Sequence, residues 1–540
     1  MSNLIRHEKL FVLLSIGVLS IALFLNLDAH HMFIHTDEPR RALVALEMML
    51  SDNYIVPTLN GEVYYNKPPL FNWIIVLSFM LWGEESEWAL RFPVVISVIG
   101  FSFSIYYFTR KHLDKRVAIF TALAFVTSGR VLFYDSFLGL IDITYAWMIY
   151  LSVMFLFFFL EQKKFILAFS LAYLFTALAY MMKGLPALVF VGTSIAVWLI
   201  IQRQVRVLFS LQHLLGIGVF LALIISYYLT FSNYHPGEIT ALFSTLWQES
   251  AKRTIIEYGF TSVLKQMLSF PFEMAFHFLP WSLLLFLLFR WSALVTVWYN
   301  QFLRFCLIIF LANIIIYWTS PEVYPRYLFP FVPLISAVLM HLYFSEIQKN
   351  WQKSTINFVM FLLIVVSTTL IAYLPFVERI QAFDFYYLKV ILLFLCLISL
   401  LLITYKYPKT LFFNLILTLG LLRIAVDWFN LPERHHQRAI YKTQALKVAE
   451  LSRNEPLYLY RNSQTHDGSC FYISKSRKSI LYRTQETKDY PSWYIVGEDL
   501  LYLFDAETVR YEFHTLGLDN PLYLLKLDGA TSAIKNKEAS

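Results

Sequence analysis

Charge is what this chain has least of. Only 15% of its 540 residues are Asp, Glu, Lys or Arg. Soluble domains sit nearer a quarter, so an ordinary soluble globule is excluded. Cysteine is almost missing: Cys306 and Cys396 lie inside apolar runs and Cys470 stands alone in the polar C-terminal part. No disulfide framework and no thiolate metal site can be built from them. The basic residues form no patch interleaved with aromatics, so the balance of 44 Lys and Arg against 37 Asp and Glu does not point to nucleic acid. No tandem repeat and no long low-complexity linker is evident.

What fills the chain instead is apolar: 58% of residues are hydrophobic and 18% aromatic. Runs long enough to cross a bilayer recur, which predicts a polytopic helical membrane protein. Thirteen spans are expected, near 10–27, 88–108, 117–134, 140–160, 165–182, 185–202, 212–232, 274–290, 303–319, 327–345, 356–376, 386–405 and 410–427. Arg6 and Lys9 precede the first run and no small-residue cleavage site follows it, so an uncleaved signal-anchor helix is expected. Basic residues recur at alternate loops: Arg6 and Lys9, Arg110 to Arg116, Lys163-Lys164, Arg203 and Arg206, Arg290 and Arg304, Lys349 and Lys353, Lys406 and Lys409. The positive-inside rule makes these loops and the N-terminus cytoplasmic and puts the loop at 28–87 and residues 428–540 outside. The expected organisation is a membrane part over 1–427 and a small α/β outer domain over 428–540. That domain is expected to have a helix around 443–452 and β-prone runs at 457–460, 470–473, 493–496 and 522–527.

The first outer loop carries the chemistry-bearing residues. Pro39 opens an amphipathic segment over 40–50 that suits a helix lying on the membrane. Pro68-Pro69 opens a second apolar helix over 70–82, too short to span comfortably. Asp37 and Glu38 precede the first helix. They suit two roles: stabilising its N-terminus, or accepting a proton from a hydroxyl or amine in an interfacial cavity. Asp142 opens the fourth span, where an ionisable group is costly unless it faces a polar cavity or a partner. Asp135 competes with it but reads more simply as a loop acid. Lys67, in Tyr64-Tyr65-Asn66-Lys67-Pro68-Pro69, suits either a snorkelling lysine or an anion ligand at a helix start. Arg91, Lys183, Arg253 and Arg326 are further outward-side cations; converging on one cavity, they would hold a phosphate or pyrophosphate. His277 is the one candidate metal ligand. It stands between Phe276 and Phe278 with no second ligand at metal-site spacing, and reads as structural.

Together these residues resemble a known family. Asp37-Glu38, Tyr64 to Pro69, Trp82-Gly83 and Arg91-Phe92-Pro93 are similar to the first-loop pattern of the aminoarabinose-transferase and protein O-mannosyltransferase group. Lys183-Gly184-Leu185-Pro186, Leu279-Pro280-Trp281 and Pro325-Arg326-Tyr327-Leu328-Phe329-Pro330 resemble its later motifs. These are GT-C membrane glycosyltransferases that use polyprenyl-phosphate sugars. The resemblance implies a GT-C fold and transfer of a sugar from an undecaprenyl-phosphate-like carrier, as in lipid A modification or protein O-glycosylation. The acceptor would be a glycolipid or a protein at the periplasmic face of the bacterial inner membrane. It implies that Asp37 serves the acceptor and that Asp142 is the second acid of the cavity. Lys67, Tyr64, Arg253, Arg326 and Tyr327 would hold the lipid phosphate. No cofactor is implied firmly; a divalent metal is possible in the aminoarabinose branch, which tends to have an acid where this chain has Asn66. The alternative from another class is a transporter or flippase of lipid-linked glycans. The absence of two similar halves speaks against it.

Overall fold

The computed structural model describes residues 2–529 except 30, 33–34, 238–239, 242–243, 246, 249–254, 321–322 and 346–350, with backbone alone for 2–7, 255–260, 435 and 437. It is mostly helical. Among the described residues eight helices are long and apolar enough to cross a membrane, or ten if each of two bent pairs is one span. The expected thirteen is not reproduced, and the shortfall has physical causes. The runs at 185–202 and 327–345 yield the shorter helices Pro186–Ile201 and Val332–Phe344. The run at 117–134 breaks into Lys115–Val126 and Gly129–Phe137, bent by 41°. At the break the Thr127 and Ser128 hydroxyls turn back onto the Leu123 and Phe125 carbonyls at 2.7 and 2.9 Å. The Gly129 N–H donates instead to the Leu279 carbonyl at 2.8 Å. Beyond Pro280, the segments Trp281–Phe289 and Trp291–Tyr299 meet at 100° rather than forming one rod. Hydropathy averages over such breaks and does not register them.

The spans pack in sequence around the site-bearing helices. Asp142–Glu161 lies on Phe165–Lys183, which lies on Leu211–Tyr234, while the first helix, Ser2–Phe24, lies on Leu411–Ala425. Large side chains such as Phe101, Phe120 and Phe125 are wholly buried between them.

The first loop forms helix Asp37–Ser51, a two-strand hairpin of β1 (Thr58–Leu59) and β2 (Glu62–Val63), and helix Leu70–Trp82. Asp52 ends the first helix in a left-handed conformation, and the Asn53 side chain then accepts from the Ile55 and Val56 N–H groups to turn the chain. The Glu47 carboxylate fastens the hairpin to the helix. It accepts from the Thr58 hydroxyl and the Asn60 N–H at 2.7 Å and from the Gly61 N–H at 3.2 Å. Burial pushes this carboxyl above its ordinary range, against those three bonds.

Helix Asp37–Ser51 has protein on both sides. It is sandwiched between Leu70–Trp82 on one side and the C-terminal domain on the other, with ten of its residues buried. Its apolar stripe packs against protein.

That domain is reached through a continuous helical stretch, Leu411–Ala425, a π-helical turn at Val426–Asn430, and helix Leu431–Leu451. A five-stranded sheet follows: β3 (Leu457–Tyr460), β4 (Tyr482–Thr484), β5 (Ser492–Gly497), β6 (Val509–Phe513) and β7 (Leu522–Leu527), in the order β4-β3-β5-β7-β6. β3 is parallel to β4 and β5; β7 is antiparallel to β5 and β6. The run expected as a strand at 470–473 lies instead in helix Asp467–Arg477, the crossover between β3 and β4. The His466 ring caps that helix by accepting from the Gly468 N–H at 3.1 Å. A short apolar run does not distinguish a buried helix from a buried strand.

Candidate active site

Two helix N-termini aim carboxylates at one cavity. Asp37 sits in the first turn of Asp37–Ser51 and Asp142 in the first turn of Asp142–Glu161, where the helix dipole favours negative charge. Lys183 closes helix Phe165–Lys183, where the dipole favours a cation. Its placement depends on Gly184, whose φ of +78° lets the chain turn sharply before Pro186 opens the next helix. Arg326 lies in the tight turn Pro325–Leu328, and Tyr64 and Lys67 stand between the hairpin and the Pro68-Pro69 helix start.

These segments enclose a cavity of about 350 Å³ lined by Asp37, Asp142, Tyr64, Lys67, Arg326 and Tyr327. The sequence-predicted residues Asp37, Asp142, Tyr64, Lys67, Lys183, Arg326 and Tyr327 therefore converge, and four others do not join them. Glu38 is completely buried elsewhere: it takes Arg91 in a two-point ion pair, at 2.7 and 3.1 Å, and accepts the Gly139 N–H at 2.7 Å. Its place among the catalytic acids is corrected to that of a structural tie, and Arg91 is likewise withdrawn from the phosphate site. Arg253 lies outside the described residues. His277 stands 3.9 Å from Glu273, away from the cavity lining. Among the described residues no three His, Cys, Asp or Glu side chains converge as a metal-ligand group.

The two acids differ in availability. Asp142 is 6% exposed and doubly neutralised, by Lys183 Nζ at 2.6 Å and Arg326 Nε at 3.3 Å. Asp37 is 43% exposed and touches Arg326 Nη2 at 3.3 Å. Arg326 is the hub, and its charge is further spread over the Tyr324 ring at 4.7 Å. Lys183 lies 4.1 Å from the Tyr327 ring centre. Despite the burial of Arg326, these carboxylates hold its guanidinium firmly protonated, above its ordinary range.

His35, which the sequence reading left without a role, completes this end of the cavity. Arg326 Nη1 approaches its Nε2 at 2.8 Å, and the Asp37 N–H approaches its Nδ1 at 3.1 Å. Both neighbours are donors. A neutral imidazole can accept from one of them, and an imidazolium from neither. Burial, then the Arg326 charge, hold the imidazole below its ordinary range, with the Asp37 carboxylate pulling the other way.

Two more cations were missed by the sequence reading. Arg40 lines the cavity and reaches Asp467 of the C-terminal domain at 2.8 Å. Arg41 lines it too and donates to the Tyr64 hydroxyl at 2.7 Å. Helical spacing from Asp37 was the available signal: positions three and four further on share its face, whereas Glu38 points about 100° away. Among the described residues five cationic and two acidic side chains line the cavity. The lining thus carries an excess of positive charge, with the Asp37 carboxylate left partly exposed.

The class this architecture defines is a GT-C-type membrane fold, a helical membrane part with a structured first loop and a small α/β domain closing over it. The crystal structure of ArnT from Cupriavidus metallidurans bound to undecaprenyl phosphate superposes with a TM-score of 0.68 at 18% identity, over 95% of this chain and 97% of that one. In sequence, residues 66–229 match the family model described as dolichyl-phosphate-mannose-protein mannosyltransferase. The undecaprenyl phosphate-alpha-4-amino-4-deoxy-L-arabinose arabinosyl transferase of Shewanella sediminis is 30% identical over 177 residues, 31% of each chain. Its counterpart from Edwardsiella ictaluri is 29% identical over 224 residues, 40% of this chain and 39% of the relative. These alignments span about a third of the relatives' length. The chain is thus aminoarabinose-transferase-like in fold over 95% of its length and in sequence over part of it.

Proposed function

We propose that this protein is a membrane glycosyltransferase that moves a sugar from a polyprenyl-phosphate carrier, of the undecaprenyl kind, to a glycolipid or protein acceptor. The observation that carries this reading is the convergence of Asp37, Lys67 and Arg326 on one cavity within a GT-C-type fold. The relatives that share this fold or sequence are named for undecaprenyl phosphate carriers, which supports the carrier class. A volume of about 350 Å³ is at the small end of ligand pockets and suits a sugar phosphate, leaving the isoprenoid chain in the bilayer. The alternation of basic loops supports an outer, periplasmic position for the cavity, with residues 1–427 proposed as the catalytic membrane part and 428–540 as the outer domain.

The reaction is an inverting displacement. The acceptor oxygen or nitrogen attacks the anomeric carbon while its proton passes to Asp37 Oδ. The bond from that carbon to the phosphate oxygen breaks, and the polyprenyl phosphate leaves with the electron pair. The donor phosphodiester's single negative charge becomes the two charges of a phosphate monoester. Lys67, Tyr64 and Arg326 offset that growth in charge. Asp142, already engaged with Lys183 and Arg326, holds those cations in place. The test is a transfer assay with purified full-length protein in sealed proteoliposomes and a panel of labelled undecaprenyl-phosphate sugars, pentose and hexose. Labelled glycolipid or protein product supports the proposal. Movement of the donor across the bilayer without any sugar transfer would overturn it in favour of a flippase.

A further inference from the structure

One cavity residue is left with an unanswered charge. Arg41 is 4% exposed, yet among the described residues it has no carboxylate partner. Its Nη2 donates to the Tyr64 hydroxyl at 2.7 Å, its guanidinium lies 5.3 Å from the Tyr64 ring centre, and its Nη1 is buried without a hydrogen-bond partner among the described residues. By contrast, Arg326 and Lys183 are neutralised by Asp37 and Asp142, and Arg40 by Asp467. A buried guanidinium without a counter-ion is strongly unfavourable, and an anionic ligand removes that cost. The helix holds it firmly, because the Asn72 side chain donates to the Arg41 carbonyl at 3.0 Å.

The Tyr64 bond adds a direction. A guanidinium only donates, so the phenolic oxygen accepts from it and the phenolic proton points elsewhere. Tyr64 lines the same cavity as Lys67. Arg41 therefore makes Tyr64 a donor towards the cavity as well as contributing its own charge.

We infer that Arg41 and Tyr64 form a paired anion subsite in the cavity, with Arg41 supplying the counter-charge for the phosphate of a polyprenyl phosphate and orienting Tyr64 to donate to it. This rests on the carrier-lipid reading above and names a residue that reading did not include. The subsite selects charge: it distinguishes a polyprenyl phosphate from the neutral polyprenol of equal length.

The experiment compares binding of undecaprenyl phosphate and undecaprenol to the full-length protein in nanodiscs, as the ratio of the two dissociation constants. The wild type is expected to prefer the phosphate. Arg41→Gln is expected to cut that preference by about ten- to a hundredfold, the range for loss of a hydrogen bond to a charged group. Arg41→Lys, which keeps the charge, should retain most of it. Tyr64→Phe should lose a smaller part. If Arg41→Gln keeps the wild-type preference, or weakens both lipids equally, the inference is overturned while the carrier reading stands. If the wild type itself shows no preference, the carrier reading fails with it. Should Arg41→Gln not fold, Arg41→Lys decides: retained preference supports the charge role, and lost preference overturns it.

Discussion

Removing the Glu38 carboxylate should unfold the first loop rather than stop the chemistry alone. In the native structure Glu38 and Arg91 are both fully buried, joined at 2.7 and 3.1 Å, and Glu38 also takes the Gly139 N–H at 2.7 Å. Glu38→Ala leaves a buried guanidinium unpaired. Breaking one side of such a pair costs about 3–5 kcal/mol. The orphaned Gly139 N–H adds about 1–3 kcal/mol where no water reaches it. Even the lower bound shifts the folded-to-unfolded ratio by on the order of a hundredfold. Arg91 also donates to the Leu27 carbonyl, so the loss detaches the end of the first span from the loop as well. The assay is thermal unfolding and size-exclusion behaviour of full-length protein in detergent. Glu38→Ala should melt far earlier, Glu38→Gln should be intermediate, and a Glu38→Met/Arg91→Met pair should recover much of the loss, because removing both charges removes the desolvation cost. A Glu38→Ala protein that melts like the wild type but transfers no sugar would refute this reasoning and return Glu38 to the catalytic acids.

Three further outcomes follow from the geometry. His35 is held below its ordinary range, so its contribution to stability is full above the ordinary imidazole value and is lost as pH falls through its lowered value in the site. On that acid limb an imidazolium would face Arg326, and thermal stability should fall with pH in the wild type but more shallowly in His35→Asn. Asp467→Asn removes the partner of Arg40 across the domain interface; its effect should be a weaker donor KM with kcat changed by no more than a few-fold, measured in the transfer assay. Asp142→Asn strips Lys183 and Arg326 of their shared carboxylate, and should lower thermal stability and carrier affinity together; a loss of kcat alone would assign it to the proton transfer instead.

How much of this was legible in the sequence depended on what each signal averages over. Asp37 and Lys67 were legible because they interrupt apolar sequence, where charge is expensive and must be used. Glu38 was misplaced because adjacency in sequence is not adjacency on a helix: one step turns the side chain about 100°, from the cavity into the core. The same geometry, applied forwards from Asp37, reaches Arg40 and Arg41, which looked in sequence like an ordinary charged pair. The partnership of Arg40 with Asp467 bridges 427 positions and leaves no local trace. Membrane residence followed from hydropathy, but the number of spans did not. The break at Thr127-Ser128 uses hydroxyls that turn back onto their own helix, and a hydropathy window counts them among their apolar neighbours. Helix Asp37–Ser51 was legible as amphipathic, but a stripe of apolar residues does not say which protein segments cover it, here Leu70–Trp82 and Asp467–Arg477. The hairpin meets the C-terminal domain: at φ +76° Gly61 is so close to Tyr482 that an added Cβ would sit 2.2 Å from the ring, so the two are fitted to each other.

The central claim, that Asp37 takes the acceptor's proton while the cations hold the carrier, is tested most directly by one paired measurement on Asp37→Asn. Sugar transfer at saturating donor and undecaprenyl phosphate affinity are measured on the same nanodisc preparation. The account predicts that transfer falls by about 10²–10⁴-fold, the range for losing a general base. Carrier affinity should meanwhile stay within a few-fold of the wild type or tighten, since a negative charge has left the cavity. Near-normal transfer by Asp37→Asn would contradict the account.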